Sequence, residues 1–458
     1  MTIAEKYKKH SYVISAFSAV AITMLLFTKT IPGTAGPDTS RLALAESLIE
    51  RNSLFIDQSY FSYTGDHVRI EGKRFSDKAP LLSFYLAIPY AVLNKVFGLS
   101  FSTNPQTCHY ILTIFSSGLS TLALMYYLLL LLRREGVSDS TISILLLSMY
   151  YSTILMPYSF TINNHTPAIA MILASWHYSK SGKPFLAGII ASFAVSVDLA
   201  SVFILLPLVL SDRNRIRIIV GGIPAALLFM AWNLMTAGSI IPHSMRPELF
   251  QYEGSITAPA VQGSGIMHDN ISAYFQYLFH YLIGSRGLFF YSPACLIGLY
   301  GILKHPGKFV YPAISILLFI FGTTLTSNNY AGWCWGVRWH ILAIPFLIYS
   351  IHPLLQKPSP LFKTLFTVAF IAGFSLSVLG SKDPWLMTLD EDSSLEARLT
   401  MKKKYVEQDY LFGIAFAENG KLLYAEKKFE DALGRDPGYE PARSAKKAVR
   451  AERLKRGI

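Results

Sequence analysis

Long apolar stretches alternate with short charged interruptions along most of the chain. The apolar runs reach about 17 to 25 residues, enough helix to cross a bilayer core of roughly 30 Å. The first, residues 11–27, follows Lys6, Lys8 and Lys9. It is long for the apolar region of a signal peptide and reads as a first membrane helix. Basic residues in short loops favour the cytoplasmic side, which puts the N-terminus inside and the polar stretch 29–79 outside.

The next apolar run, 80–97, raises a question of parity. If it crossed, the helix 108–132 would leave Arg133 and Arg134 outside, against the positive-inside bias. The run therefore reads as a helix lying in the outer interface, with Pro80 in its first turn. Residues 140–158 then run outward and leave 161–166 (TINNHT) outside, and 167–178 return to Lys180 and Lys183. Residues 184–198 and 199–210 form two short helices meeting at Asp198, ahead of Arg213, Arg215 and Arg217. Residues 218–235 go out, 238–286 form a second large outside loop, and 288–303, 310–325, 340–351 and 365–379 complete about eleven spans, with the C-terminus outside.

Composition agrees with this pattern. Only 15% of the residues are charged and 52% are hydrophobic, against about 25% charged in soluble domains. The net charge of +12 follows from basic cytoplasmic loops and does not call for nucleic acid. Cys108, Cys295 and Cys334 form no CxxC and read as ordinary buried thiols.

The tail differs in kind. Residues 1–381 read as the membrane domain, 382–405 as a charged linker and 406–458 as a small helical domain. Gly413, Phe416, Ala425, Phe429, Ala432 and Pro437 fall at the offsets of a tetratricopeptide repeat. Small residues at 413 and 425 would let two helices approach, with the phenylalanines filling the space between them.

Candidate chemistry gathers in the outside loops. In PGTAGPDTSRLALAESLIE the first helix breaks, and Asp38 precedes an amphipathic segment carrying Leu42, Ala45, Leu48 and Ile49 on one face. Asp38 either N-caps that helix, with Thr39 or Ser40, or serves as a carboxylate base at the lipid–water boundary. Further on, RFSDKAPLLSF sets Asp77 and Lys78 against an apolar run. Lys78 is either a snorkelling interfacial lysine or a cation for an anionic ligand.

The order of these features resembles the GT-C glycosyltransferases, and most closely glycosyltransferase family 39, the protein O-mannosyltransferases and lipid A aminoarabinose transferases. An acid follows the first membrane helix, then an amphipathic helix, then DKAP before an interfacial run. GSRGLFFYSP and GWCWGVRWHILAIPFL resemble later elements of bacterial members, and the resemblance covers roughly residues 10 to 380. It implies an all-α GT-C-type membrane bundle that moves a sugar from a polyprenyl-phosphate carrier to a protein, lipid or glycan, outside a bacterial cytoplasmic membrane. It implies Asp38 as the base and Lys78 as the contact to the carrier phosphate, with Asp77 orienting Lys78. No cofactor or metal is expected beyond the lipid-linked donor.

Other residues are open to two readings. Arg286 and Arg338 could grip phosphate or anchor the interface. Trp333, Trp335 and Trp339 could stack on sugars or form an aromatic belt. His243 and His268 lie in the second loop. Where many relatives carry a second acid, this chain has Asn163, Asn164 and His165; the amides can bind substrate and His165 can titrate. Asp198 reads as a solvated turn or an intramembrane functional acid, and the D-x-D at 390–392 as a solvated linker. The tail could recruit a protein partner. Two rival readings are a transporter or lipid flippase, which would need ionisable groups near the midplane, and a non-catalytic assembly protein displaying the tail.

Overall fold

The computed structural model describes residues 3–32, 36–252, 267–268, 270–327, 329–332, 334–385, 402–418, 420 and 422–456. Every apolar segment anticipated as a span contains helix, some of it interrupted. Helix α1 (Ile3–Phe27) leads into a long loop that carries α2 (Pro37–Arg51), a hairpin of β1 (His67–Ile70) and β2 (Lys73–Ser76), and α3 (Leu81–Lys95). The bundle continues through α4 (Pro105–Thr113) and, across a π-turn, α5 (Leu119–Arg134). After these come α6 (Asp139–Tyr151), α7 (Leu155–Ser159), α8 (His165–Lys180), α9 (Pro184–Val197), α10 (Ser201–Leu210) and α11 (Arg215–Ala237). It closes with α12 (Ile271–Leu282), α13 (Leu288–Tyr291), α14 (Ala294–Lys304), α15 (Pro306–Leu325), α16 (Ile344–Ser350) and α17 (Pro360–Gly380).

Among the described residues, 5 helices are long and apolar enough to cross a membrane: His10–Phe27, Pro105–Arg134, Arg215–Ala237, Pro306–Leu325 and Pro360–Gly380. The other apolar helices are shorter or broken. Residues 140–158, anticipated as one helix, break after Tyr151. The Ser152 and Thr153 hydroxyls donate to the carbonyls of Ser148 and Met149 at 2.7 and 2.5 Å, and the Ile154 amide turns to Ser292 Oγ at 3.2 Å. Such back-bonding competes with the helical ladder, and Pro157 supplies no N–H to resume it.

Glycines set how closely helices approach. A Cβ on Gly188 of α9 would stand 1.9 Å from the Ile218 carbonyl oxygen of α11, and one on Gly221 would stand 2.2 Å from that of Phe185. Small residues at such crossings let backbones touch and gain dispersion contact. Gly188→Val is expected to push the two helices apart and to cost about 1–3 kcal/mol. Thermal unfolding of the detergent-purified protein checks this. Gly307→Ala, where a Cβ meets nothing within 4 Å, should leave the transition unchanged.

The long loop after α1 is folded by its own polar network. Glu46, buried on α2, accepts from the Tyr60 amide at 2.8 Å and from the Ser59 hydroxyl. Burial raises its carboxyl pKa, while those hydrogen bonds work in the opposite direction. Arg74 donates through its amide and Nε to Asp57, at 3.0 and 3.1 Å, and through Nη1 to the Ser62 carbonyl at 2.7 Å. The hairpin turns at Glu71 and Gly72, both with positive φ (50° and 78°), as a two-residue turn of this hand requires. Strand β2 thereby delivers Asp77 and Lys78 to a fixed place. Helix α3 has 15 residues, about 22 Å of helix. It buries Leu82, Leu86, Tyr90 and Leu93 and exposes Ile88 and Val92.

The tail forms three helices, Lys402–Glu418, Leu422–Arg435 and Glu440–Lys455. The first two pack so tightly that a Cβ on Gly413 would meet the Phe429 ring at 2.3 Å. Phe416, Ala425, Phe429 and Ala432 are buried between them, and Asp409 accepts from Lys428 and Arg435 at 2.9 and 2.8 Å. The Phe416 ring also lies 4.8 Å from that of Tyr63 in the first loop. The D-x-D at 390–392 and Trp333 lie outside the described residues.

Candidate functional site

Helix α2 begins the site. Gly36, not Asp38, occupies the N-cap position, and Pro37 opens the first turn, where its missing N–H costs nothing. Asp38 sits inside that turn, fully buried, and accepts the Thr39 amide at 2.9 Å. Three residues on, Arg41 shares its face. Arg41 is buried; it donates to the Pro37 carbonyl at 2.6 Å and to Asn164 Oδ1 at 3.0 Å. Burial pushes its pKa down to about 10, with Asp77 opposing that shift and Arg338 adding to it. It remains a cation at neutral pH.

The end of β2 meets this helix. Ser40 Oγ lies 2.8 Å from Ser76 Oγ and 3.4 Å from Asp77 Oδ1. Lys78 Nζ bridges Asp77 at 2.8 Å and Asp66 at 2.7 Å. Burial works against the lysine's charge, but the two carboxylates outweigh it and raise its pKa. Burial raises the Asp77 carboxyl in turn, with Lys78 holding it back. An ammonium has three donors, and two of them are taken here. Lys78 also lines a small, partly open pocket together with Asp77, Ala79 and Pro80. Leu199, Phe229, Trp232, Asn233 and Pro242 to Ser244 complete its lining. The charged head of the site thus opens on largely apolar walls.

The start of α8 supplies the third side. Asn163 does not face a ligand: its Nδ2 donates to the Tyr158 carbonyl at 2.7 Å and its Oδ1 accepts from the Thr166 amide at 2.9 Å. It shapes the turn. Asn164 orients Arg41, and His165 Nδ1 lies 2.5 Å from Asp198 Oδ2. Asp198 is therefore not a solvated turn. It is buried, and its carboxylate meets an imidazole 33 residues back in sequence. Arg338 reaches the same group of charges, since it acts electrostatically on both Arg41 and His165, while its guanidinium lies 5.1 Å over the Trp385 ring.

Of the remaining candidates, His243 alone joins the pocket lining among the described residues. Arg286 donates to the Cys334 carbonyl at 3.3 Å. Trp335 is neither belt nor sugar platform: it is buried, edge-on to Tyr291 at 4.8 Å and pressed against Gly380. Trp339 packs against the same core. His268 contacts the Thr324 carbonyl at 2.6 Å. His243 lines the cavity and contacts Thr236 Oγ1 at 2.8 Å. Sequence reasoning missed Arg41, Asp66 and the Asp198–His165 pairing.

No family model and no curated protein matches the chain. Solved structures do. ArnT from Cupriavidus metallidurans bound to undecaprenyl phosphate superposes with a TM-score of 0.51 at 14% identity, over 94% of this chain and 76% of that one. Its apo form gives 0.52 at 12%, over 96% and 74%. The likeness shows the fold alone, that of a mostly helical polytopic membrane protein.

Proposed function

We propose that the chain is a membrane glycosyltransferase that takes a sugar from a polyprenyl-phosphate carrier and transfers it to a hydroxyl of a protein, lipid or glycan. The observation that carries this reading is Lys78, an ammonium held by two carboxylates, in the lining of a pocket whose other residues are largely apolar. A phosphate on a long hydrocarbon chain has that same division of charge and apolar surface. The fold is shared with a protein crystallised with undecaprenyl phosphate, which supports the same ligand class.

In this reading the carrier phosphate lies against Lys78. Arg41 and Arg338 add positive charge nearby. As the bond from the sugar's anomeric carbon to phosphate oxygen breaks, these cations offset the growing negative charge. Asp38 takes the proton of the acceptor hydroxyl as its oxygen bonds to the anomeric carbon. The site would face the outer side of a bacterial cytoplasmic membrane, with the N-terminus inside. The tail, residues 406–458 after the linker 382–405, would act as a repeat-like unit that recruits a protein partner or acceptor.

Native mass spectrometry of the purified protein with equal undecaprenyl phosphate and undecaprenol tests the phosphate preference. The phosphate lipid should be retained and the alcohol lost. Equal retention would show that only the hydrocarbon is recognised.

A further inference from the structure

Two buried nitrogens in this site find no hydrogen-bond partner among the described residues: Arg41 Nε and His165 Nε2. Arg41 is 4% exposed and His165 2%. Leaving such groups unmet is costly in a packed interior, so a pair of them in one charged site points to a ligand. They come from two different elements joined through Asn164, whose side chain holds Arg41 and whose chain neighbour is His165.

Their chemistry is complementary. Arg41 Nε can only donate. The Asp198 carboxylate, 2.5 Å from His165 Nδ1, keeps the proton on Nδ1 and leaves Nε2 as an acceptor. Asp198 is itself fixed, because its Oδ1 accepts the Ala200 amide at 3.2 Å. One donor beside one acceptor suits hydroxyl groups, which do both. The next residue, Leu199, lines the same pocket as Lys78, and Arg41 interacts electrostatically with both Asp77 and Asp198.

We propose that Arg41 Nε and His165 Nε2 seat hydroxyl groups of the transferred sugar, and that Asp198 is a positioning residue that sets the direction of the His165 hydrogen bond. The proposal rests on the transferase reading and adds the sugar-recognising part of the site. Asp198→Asn should reverse it. The amide would donate to Nδ1, the imidazole proton would move to Nε2, and an acceptor would become a donor. His165→Gln keeps a polar group near Nε2 but loses the defined tautomer.

The test measures affinities in nanodiscs for undecaprenyl phosphate and for a panel of undecaprenyl-phosphate pentoses and hexoses. Wild type should hold at least one sugar-bearing lipid more tightly than the bare phosphate. Both variants should lose about tenfold of that preference, the worth of one good hydrogen bond, with affinity for the bare lipid unchanged. The unchanged bare-lipid affinity also reports that each variant is folded. Preference that survives in both variants would overturn the proposal. So would an equal loss for bare and sugar-bearing lipid, which would assign the pair to phosphate or to packing. A wild type that binds none of these lipids would instead overturn the transferase reading itself, and this inference with it.

Discussion

Lys78→Ala is expected to lower sugar release from a polyprenyl-phosphate donor by about 10²- to 10³-fold, the range seen when one preorganised donor to a developing oxyanion is removed. The loss should appear in turnover and in donor affinity together, because in the proposed function the ammonium meets the phosphate in both ground and transition states. The substitution also leaves Asp66 and Asp77 facing each other without their shared cation. Asp77 is the more buried, with 4% side-chain exposure against 16% for Asp66. The double variant Lys78→Met, Asp77→Asn therefore removes the worse of the two uncompensated charges. It should recover wild-type thermal stability and remain inactive. Recovery of activity in that neutral pair would mean that Lys78 serves only to hold the loop.

The second large effect is expected for Asp38→Asn. The amide keeps the shape and can still accept the Thr39 N–H, now at 2.9 Å, but it cannot take a proton. Single-turnover release of labelled sugar should fall by about 10²- to 10⁴-fold. Undecaprenyl phosphate should bind as before, since the proposed role of Asp38 is on the acceptor. Stability should change little: an acid in the first turn of a helix contributes about 0.3–1 kcal/mol through the dipole. Activity that persists at the wild-type level would return Asp38 to a helix-terminal role.

The membrane bundle could be read because long apolar runs and basic loops report directly on a bilayer. What the runs hide is which face of each helix meets lipid and where the helices break. Residues 140–158 looked continuous because Ser152 and Thr153 are compatible with a membrane helix until their hydroxyls capture the preceding carbonyls. Trp335 looked interfacial because Gly and aromatics surround it in sequence. The close approach of Gly380 that buries it comes from another helix.

The site was half visible. Asp77 and Lys78 stood out as a charged pair against an apolar run. Their partner Asp66 did not, because a two-residue turn at Glu71 and Gly72 was needed to bring it close. That turn had a signal, alternating HVRI and KRFS around a Gly-containing pair, in a stretch read only as polar loop. Arg41 was hidden in an amphipathic helix whose charged residues ordinarily face water. Asp198 looked solvated because a turn is all the local sequence shows. Its partner His165 lies on another helix, and no periodicity announces a contact of that kind.

The most direct test of the central claim is release of radiolabelled sugar from a panel of polyprenyl-phosphate donors by the protein reconstituted in lipid, with Lys78→Ala alongside. Wild type is predicted to discharge at least one donor and the variant to fall by at least about 10²-fold. Discharge by Lys78→Ala at the wild-type rate would contradict the account.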